Sequence, residues 1–474
     1  MAWTPEVKFV QGCIAFVIWW VLAVFPAFPL LPIGRTAGSL VGASLMVVFG
    51  VISPDDAFNA VDLPILGLLF ATMVVSVYLE RAKVFDYLAS ALSWKTRGGK
   101  DLMCRVCVLA AISSAVFTND STCVVLTGFV LKLCDEKKLD PKPFLIALAC
   151  SSNIGSAATP IGNPQNLVIA VQGRLGFWQF VFGILPAVVA GMLINMIGLL
   201  LIYGSHLSLK PTGNDSEEIN GSDYADEDIG LLQDDDTEQS ALRSRSFHVE
   251  TVNTRGSRFP WKFVNKHKEK IWKSLLFFGL IAIWIAGAAM HTFEAGVGLP
   301  WTAITAAVIL TVVDFSDATE TLDKVSYSIL VFFSGMFITV EGFNRTGAPA
   351  RFWLAVEPYS RIDTKSGKAI LSVVVTFLSN VASNVPTVLL LGPRVASSAQ
   401  ATDGASPDQA WLILAWVSTV AGNLTLVGSA ANIIVCEKAR TDPNKSYNLT
   451  FWEHLKFGFV STLVVIFVGL PFIG

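Results

Sequence analysis

Between Val106 and Leu131 the chain carries no Asp, Glu, Lys, Arg or His except Asp120, at the centre of the run FTNDSTC (117–123). A carboxylate in the middle of an apolar stretch costs about 3 kcal/mol or more if that stretch lies in a bilayer, so it is kept for a use such as a proton relay or an ion site. Thr118, Asn119, Ser121 and Thr122 surround it with hydroxyls and a carboxamide. The run SNVPT (383–387) repeats the pattern as Ser383, Asn384 and Thr387, with Val385 where the aspartate would stand. One run can therefore titrate and the other cannot.

Each run has a partner rich in Gly, Ala and Pro. SSNIGSAATPIGNPQN (151–166) contributes Asn153, Thr159, Asn163 and Asn166; AGNLTLVGSAAN (421–432) contributes Asn423, Thr425, Ser429 and Asn432. Such segments break a membrane helix, free backbone carbonyls and amides, and point helix ends inward, which suits a small polar ligand. No Lys, Arg or His occurs in 106–131, 143–173, 369–393 or 409–436 to neutralise Asp120. The carboxyl can then carry a proton or, ionised, hold a cation. A plainer use stands beside this one: Ser, Thr and Asn also simply join helices in membranes, and Gly and Ala let them approach. Gly38 and Gly42, a GxxxG pair, read as packing. The recurrence of Asn and Thr at matching places favours a site.

The elements that position these residues are membrane spans. The 474 residues are 53% hydrophobic and only 15% charged, a balance that fits a polytopic membrane protein. Phe9–Ile33, Phe177–Gly204 and Ile271–Met290 are each long enough for a hydrocarbon core of about 30 Å. The first stretch lacks a basic leader and carries Glu6, so it reads as a span rather than a cleaved signal. A net charge of −3 offers nothing to nucleic acid. The seven cysteines are scattered, and the CxxC of Cys104 and Cys107 has no second pair or histidine to complete a metal site. No nucleophile–base pair is visible either, so neither an enzyme nor a cofactor is expected.

The chain repeats itself at a near-constant spacing. TPIGNPQNLVI (159–169) matches TLVGSAANIIV (425–435), LFATM (69–73) matches FFSGM (332–336), and LERA (79–82) matches FNRT (343–346). A duplication gives a first repeat over 1–204 and a second over 271–474. Between them, 205–270 is acidic and then basic, with too little apolar content to offset its ordering, and reads as a disordered cytoplasmic linker. In the first repeat, spans are expected near 9–31, 36–53, 63–80, 143–173 and 177–204. The region 104–134 reads as a re-entrant hairpin, its arms too short for two crossings and its polar tip at mid-membrane. Both its ends are basic (Arg97, Lys100 and Arg105; Lys132, Lys137 and Lys142) and hence cytoplasmic. Five crossings per repeat invert the second, whose hairpin (about 366–395) opens outward and whose broken helix spans about 409–436. Arg345, Arg351, Arg361, Lys365 and Lys368 oppose this orientation, unless their loop lies as an interfacial helix; the whole-chain balance favours it. The expected fold is an all-α polytopic membrane protein of two inverted-topology repeats, each of about five transmembrane helices and one re-entrant hairpin, with broken helices at the midplane.

The motifs also carry a resemblance. FTNDSTCVV, SNIGSAATPIGNPQNLVIA, SNVPTVLLLG and AGNLTLVGSAANIIV resemble the arsenite permease (ArsB/NhaD-type) branch of the ion transporter superfamily. LPIGRTAG, ISPDDAF, DLPILGLLFATMVV and GGKDLMCRVCV resemble the plant silicon efflux transporters of that branch. The resemblance implies silicic acid export driven by proton influx at the plasma membrane, with arsenite or germanic acid sharing the route, and a homodimer is in keeping with the superfamily. It implies that Thr118, Asn119, Thr122, Ser383, Asn384 and Thr387 stand where related sodium-coupled carriers bind carboxylates. Asp120 departs from that pattern and would repel a dicarboxylate unless protonated. A sodium-coupled dicarboxylate carrier, a sodium/proton antiporter and a passive channel stay open as alternatives.

Overall fold

A computed structural model describes residues 4–24, 34–81, 92, 98–205, 207, 299–313, 318–442 and 446–474. The 205–270 linker, apart from Ser205 and Leu207, and the 271–290 span lie outside the described residues. The chain is helical, with no strand among the described residues. Its first half holds α1 (Pro5–Val24), α2 (Gly34–Val48), α3 (Pro54–Asn59), α4 (Leu63–Arg81), α5 (Gly99–Phe117), α6 (Asn119–Glu136), α7 (Pro141–Ser156), α8 (Pro164–Gln172) and α9 (Phe177–Tyr203). The second half holds α10 (Leu299–Val313), α11 (Ala318–Leu322), α12 (Tyr327–Arg345), α13 (Ala348–Val356), α14 (Lys365–Ala382), α15 (Asn384–Gln400), α16 (Pro407–Ala421), α17 (Ala430–Arg440) and α18 (Phe451–Gly469).

By length and composition, Pro5–Ala23, Phe177–Tyr203, Tyr327–Arg345 and Phe451–Phe472 are able to cross a membrane. Helix α9 shows why the surrounding solvent must be apolar. It buries Phe180, Ile184, Ala187, Gly191 and Asn195 and turns Phe182, Val189, Leu193 and Ile197 outward. A helix that is apolar on its packed face and presents large apolar side chains outward as well is stable in lipid and not in water. The centre is formed by α7 and α16, which are buried on every side over Pro143–Ser156 and Ala410–Ala421. Pro141, Pro164 and Pro407 open α7, α8 and α16, where a missing N–H costs nothing.

Packing recurs between the halves. Helix α2 lies on α12, and α10 on α4; α17 lies on α6, and α8 on α15. Helices α5 and α6 both pack on α7, as α14 and α15 do on α16. Polar contacts join the loops in pairs. Asp56 meets Arg345 at 2.6 Å, and Gln179 Nε2 donates to Asp408 at 2.6 Å, on segments expected outside. Lys142 meets Glu453 at 2.7 Å on segments expected inside. Hydrogen bonds from Arg345 and then Ser53 hold the Asp56 carboxyl below its usual range.

Three expectations change. Arms too short to cross were expected on either side of Thr118, yet α5 and α6 have 19 and 18 residues. At 1.5 Å per residue each is about 28 Å long, the length of a span. The added turns are the charged ends, Gly99–Arg105 and Lys132–Glu136. Likewise α14–α15 extends past 395 to Gln400, and α2 stops at Val48 instead of continuing to 53. The basic 344–368 loop contains a helix, α13.

Gly38 and Gly42 do pack: a Cβ on either would lie 2.6 Å from Leu22 or Trp19 of α1. Gly155 presses directly on the backbone of Ala111, joining α7 to α5, whereas Gly128 of α6 faces open space. Gly155→Ala is expected to destabilise by about 1–3 kcal/mol through overpacking, and Gly128→Ala to be neutral or to stabilise by up to about 1 kcal/mol. Thermal unfolding of the purified variants measures both.

Candidate functional site

The two tips share one backbone geometry. Thr118 has φ 81° and ψ 150°, and Ser383 has φ 75° and ψ 158°. Side-chain-bearing residues rarely adopt this region, at a cost of about 1–3 kcal/mol each. The surroundings hold the first tip: Thr118 Oγ1 accepts from the Ser121 amide at 3.3 Å, and the Asn119 amide donates to the Gly162 carbonyl at 3.1 Å. At the second tip, Thr387 Oγ1 donates to the Ser383 carbonyl at 2.8 Å.

The breaks between α7 and α8 and between α16 and α17 are braced in matching ways. Asn166 Nδ2 donates to the carbonyls of Ser156 and Thr159, both at 3.1 Å. Asn432 Nδ2 donates to those of Gly422 and Thr425, at 2.8 and 3.0 Å. Asn163 caps α8 by accepting from the Asn166 amide at 2.9 Å, and Ser429 caps α17 by accepting from Ala431 at 3.2 Å. Thr159 Oγ1 ties its break to the Ala115 carbonyl at 2.6 Å, and Thr425 Oγ1 to Asn380 Oδ1 at 2.9 Å. A carboxamide has two hydrogens and can close both carbonyls that a broken helix leaves open, which explains Asn at 166 and 432.

One side chain joins all of these parts. Asn153, buried on α7, accepts at Oδ1 from Asn119 Nδ2 and from Ser429 Oγ, both at 2.9 Å. Its Nδ2 donates to Asn423 Oδ1 at 2.8 Å and to Asn432 Oδ1 at 3.0 Å. Every hydrogen-bonding valence of Asn153 is therefore committed. Thr419 occupies the matching place on α16, and its Oγ1 donates to Asn166 Oδ1 at 3.2 Å. Each half thus holds the break of the other.

The residues expected from sequence divide by what they have left to offer. Asn153, Thr159, Asn163, Asn166, Asn423, Thr425 and Asn432 are engaged in bracing. Thr118, Asn119, Ser121, Ser429 and Thr387 are partly engaged. Thr122 Oγ1 and Asn384 Oδ1 are buried with no hydrogen-bond partner among the described residues, and Ser383 is exposed. Asp120, two residues before Thr122, is half-buried, and no hydrogen bond reaches its carboxyl among the described residues.

Asp120 does have a cation in electrostatic range, contrary to the sequence reading. Arg35, in the first turn of α2, attracts it without forming an ion pair. The windows searched for a cation did not include α2. The signal was present nonetheless, since Arg35 is the sole charged residue between Lys8 and Asp55. Thr419 was missed because hydroxyls on a buried helix are common, and His454 because it lies on α18, outside the segments compared. Among the described residues no group of His, Cys, Asp and Glu could hold a metal. A cavity of about 530 Å³ lies along the far part of α15, lined by Asn344, Trp353, Glu357, Leu389, Arg394 and Ser398 rather than by the tips.

The family model described as citrate transporter (CitMHS) matches residues 15–421. The silicon efflux transporter LSI3 of Oryza sativa subsp. japonica is 51% identical, over 100% of this chain and 99% of the rice protein. The putative transporter arsB of Dictyostelium discoideum is 32% identical, over 94% of this chain and 88% of its own. The crystal structure of the Alcanivorax borkumensis YdaH transporter aligns over 98% of this chain and 96% of that chain, at 13% identity and a TM-score of 0.46.

Asn153→Leu keeps the branched shape and removes all four hydrogen bonds, leaving Asn119, Asn423 and Asn432 with unpaired buried atoms. The expected loss exceeds about 3 kcal/mol, read as a large fall in the unfolding midpoint. A variant as stable as the parent would mean that the network is incidental.

Proposed function

The chain belongs to the citrate transporter (CitMHS) family, a family of transporters and not of enzymes, and from that premise we propose that it exports silicic acid in exchange for protons. The observation that carries this reading is the end-to-end likeness to a protein named as a silicon efflux transporter. The chemistry of the tips supports it. Thr122, Asn384, Ser121 and Ser383 offer neutral donors and acceptors, which suit an uncharged tetrahydroxide. Arsenite and germanic acid, small hydroxides uncharged near neutral pH, fit the same groups. The likeness to the rice protein supports placing the transporter in the plasma membrane of a plant cell.

We read α5–α6 and α14–α15 as re-entrant hairpins of two inverted repeats. Their strained polar tips, the recurrent packing and the same-side pairs Asp56–Arg345, Gln179–Asp408 and Lys142–Glu453 support that topology. Irregular backbone at membrane depth needs protein or a water-filled cavity around it. The cavity along α15 then lies on the outward side of the second tip.

Asp120 is the proposed proton carrier. Ionised, it attracts Arg35 and draws α2 toward the first tip; protonated, it loses that attraction. Because α2 lies on α12 of the second half, the protonation state of one carboxyl can bias the arrangement of both halves. Exchange requires that proton and substrate favour different arrangements, and the coupling is then reciprocal.

Vesicles loaded with silicic acid test the reading. With an inward proton gradient, the wild type is expected to export silicic acid below its outside concentration, and Asp120→Asn to lose this uphill export while staying folded. Normal export by Asp120→Asn would contradict the role of Asp120, and export driven by sodium alone would favour the sodium-coupled carrier. Asn384→Ala is expected to raise the KM for silicic acid about tenfold with a smaller effect on maximal rate, the cost of one buried hydrogen bond.

A further inference from the structure

Helix α18 brings a histidine to the second break. His454 is fully buried, with Nε2 3.0 Å from the carbonyl oxygen of Asn423 and 3.4 Å from Asn432 Nδ2. A carbonyl only accepts, and Asn432 Nδ2 already serves two carbonyls, so Nε2 carries the hydrogen and donates it to Asn423. In the neutral ring Nδ1 is then a bare acceptor. It is buried and has no hydrogen-bond partner among the described residues. A second proton would have to sit on Nδ1, where nothing among the described residues accepts it, and a buried N–H without an acceptor is costly.

One turn further on, Gly458 lets α18 close onto the carbonyls of Asn423 and Leu424, where any Cβ would collide. The ring therefore sits at the unwound backbone itself. Helix α9, which takes the matching place in the first half, contains no Asp, Glu, Lys, Arg or His.

Other titratable groups near this end of α18 are occupied, exposed or distant, Lys456 of α18 being exposed. Glu453, on α18 itself, pairs with Lys142 of α7 at 2.7 Å. Tyr203 of α9 stands beside Phe457. On α16 there is only Asp408, at the far end with Gln179. Cys436 of α17 donates to the Leu449 carbonyl, and Cys150 of α7 presents its carbonyl to Asn423. None of them bonds to the imidazole.

We propose that His454 is a second proton site: the neutral ring holds the second break through its Nε2–H bond to Asn423, and a proton on Nδ1 is accommodated only when that break rearranges. The inference rests on the proposed proton-coupled export of silicic acid and adds to it a group on the other half. Asp120 and His454 would then place one titratable group in each half, the first at a tip and the second at the unwound backbone of a break.

Silicic acid efflux from vesicles, measured against pH, tests this with two variants. His454→Gln retains a donor for Asn423 and takes up no proton; it is expected to transport with one limb of the wild-type pH profile missing. His454→Leu removes the donor and is expected to slow efflux about tenfold at every pH. A His454→Gln profile that follows the wild type, or a His454→Leu rate equal to it, overturns the proposal. If His454→Leu does not fold, the His454→Gln profile decides alone. If the wild type moves no silicic acid at any pH, the export reading has failed, and unfolding of purified protein decides on His454. Wild-type stability should then fall as the pH drops below about 6.5, where the unfolded histidine takes up a proton that the folded ring does not, and that of His454→Gln should fall less; equal dependence overturns the proposal.

Discussion

The arrangement depends on the Asn153 carboxamide. Among the described residues it is the one side chain that touches a tip, through Asn119, and the opposite break, through Asn423, Ser429 and Asn432. All four of its bonds go to other side chains, in a site where an unpaired polar atom would cost about 1–3 kcal/mol. A fully satisfied buried network fixes one geometry sharply, while a partly satisfied one is worse than none. The first tip, the first broken helix and the second broken helix are consequently held as one body in this conformation. Asn166, Asn432 and Thr419 extend that body across the junction of the halves.

This rigidity bears on function. Thr118 and Ser383 hold strained backbone, and the first of them is locked by Ser121 and by the bond from Asn119 to Gly162. Strain of this kind persists only where the surroundings over-determine it. A tip that moves must give up its network contacts while its strain is relieved, which suits two discrete states rather than a continuum. The groups left over, Thr122 Oγ1, Asn384 Oδ1 and the Asp120 carboxyl, belong to the tips and not to the braces. Polar atoms left unpaired and polar atoms that brace helices are thus divided between neighbouring residues of the same types.

Much of this was legible in the sequence, because tips and breaks are local events with local signals. Gly and Pro mark 155–164, Ser or Thr followed by Asn marks each tip, and the duplication places the same residue types twice. The division of labour was not legible. Asn153 and Asn384 are both carboxamides in apolar stretches, and only the fold shows that one is saturated and the other is not. Arg35 and His454 escaped because they lie on helices outside the segments compared, and Thr419 because a hydroxyl on a buried helix is common; such contacts are not local, and the bond from Asn153 to Asn432 spans 279 residues. The arm lengths escaped because helices continue through charged turns once they leave the hydrocarbon, so counting uncharged residues shortens them.

The central claim is that export of a neutral hydroxide is tied to the opposite movement of a proton. The direct measurement is internal pH in vesicles loaded with silicic acid, with no pH gradient imposed, as the substrate flows out down its own gradient. The account expects the lumen to acidify in step with efflux and to stop doing so when the substrate gradient is spent. Efflux with an unchanged internal pH would contradict it and would make the protein a passive pathway or a carrier coupled to another ion.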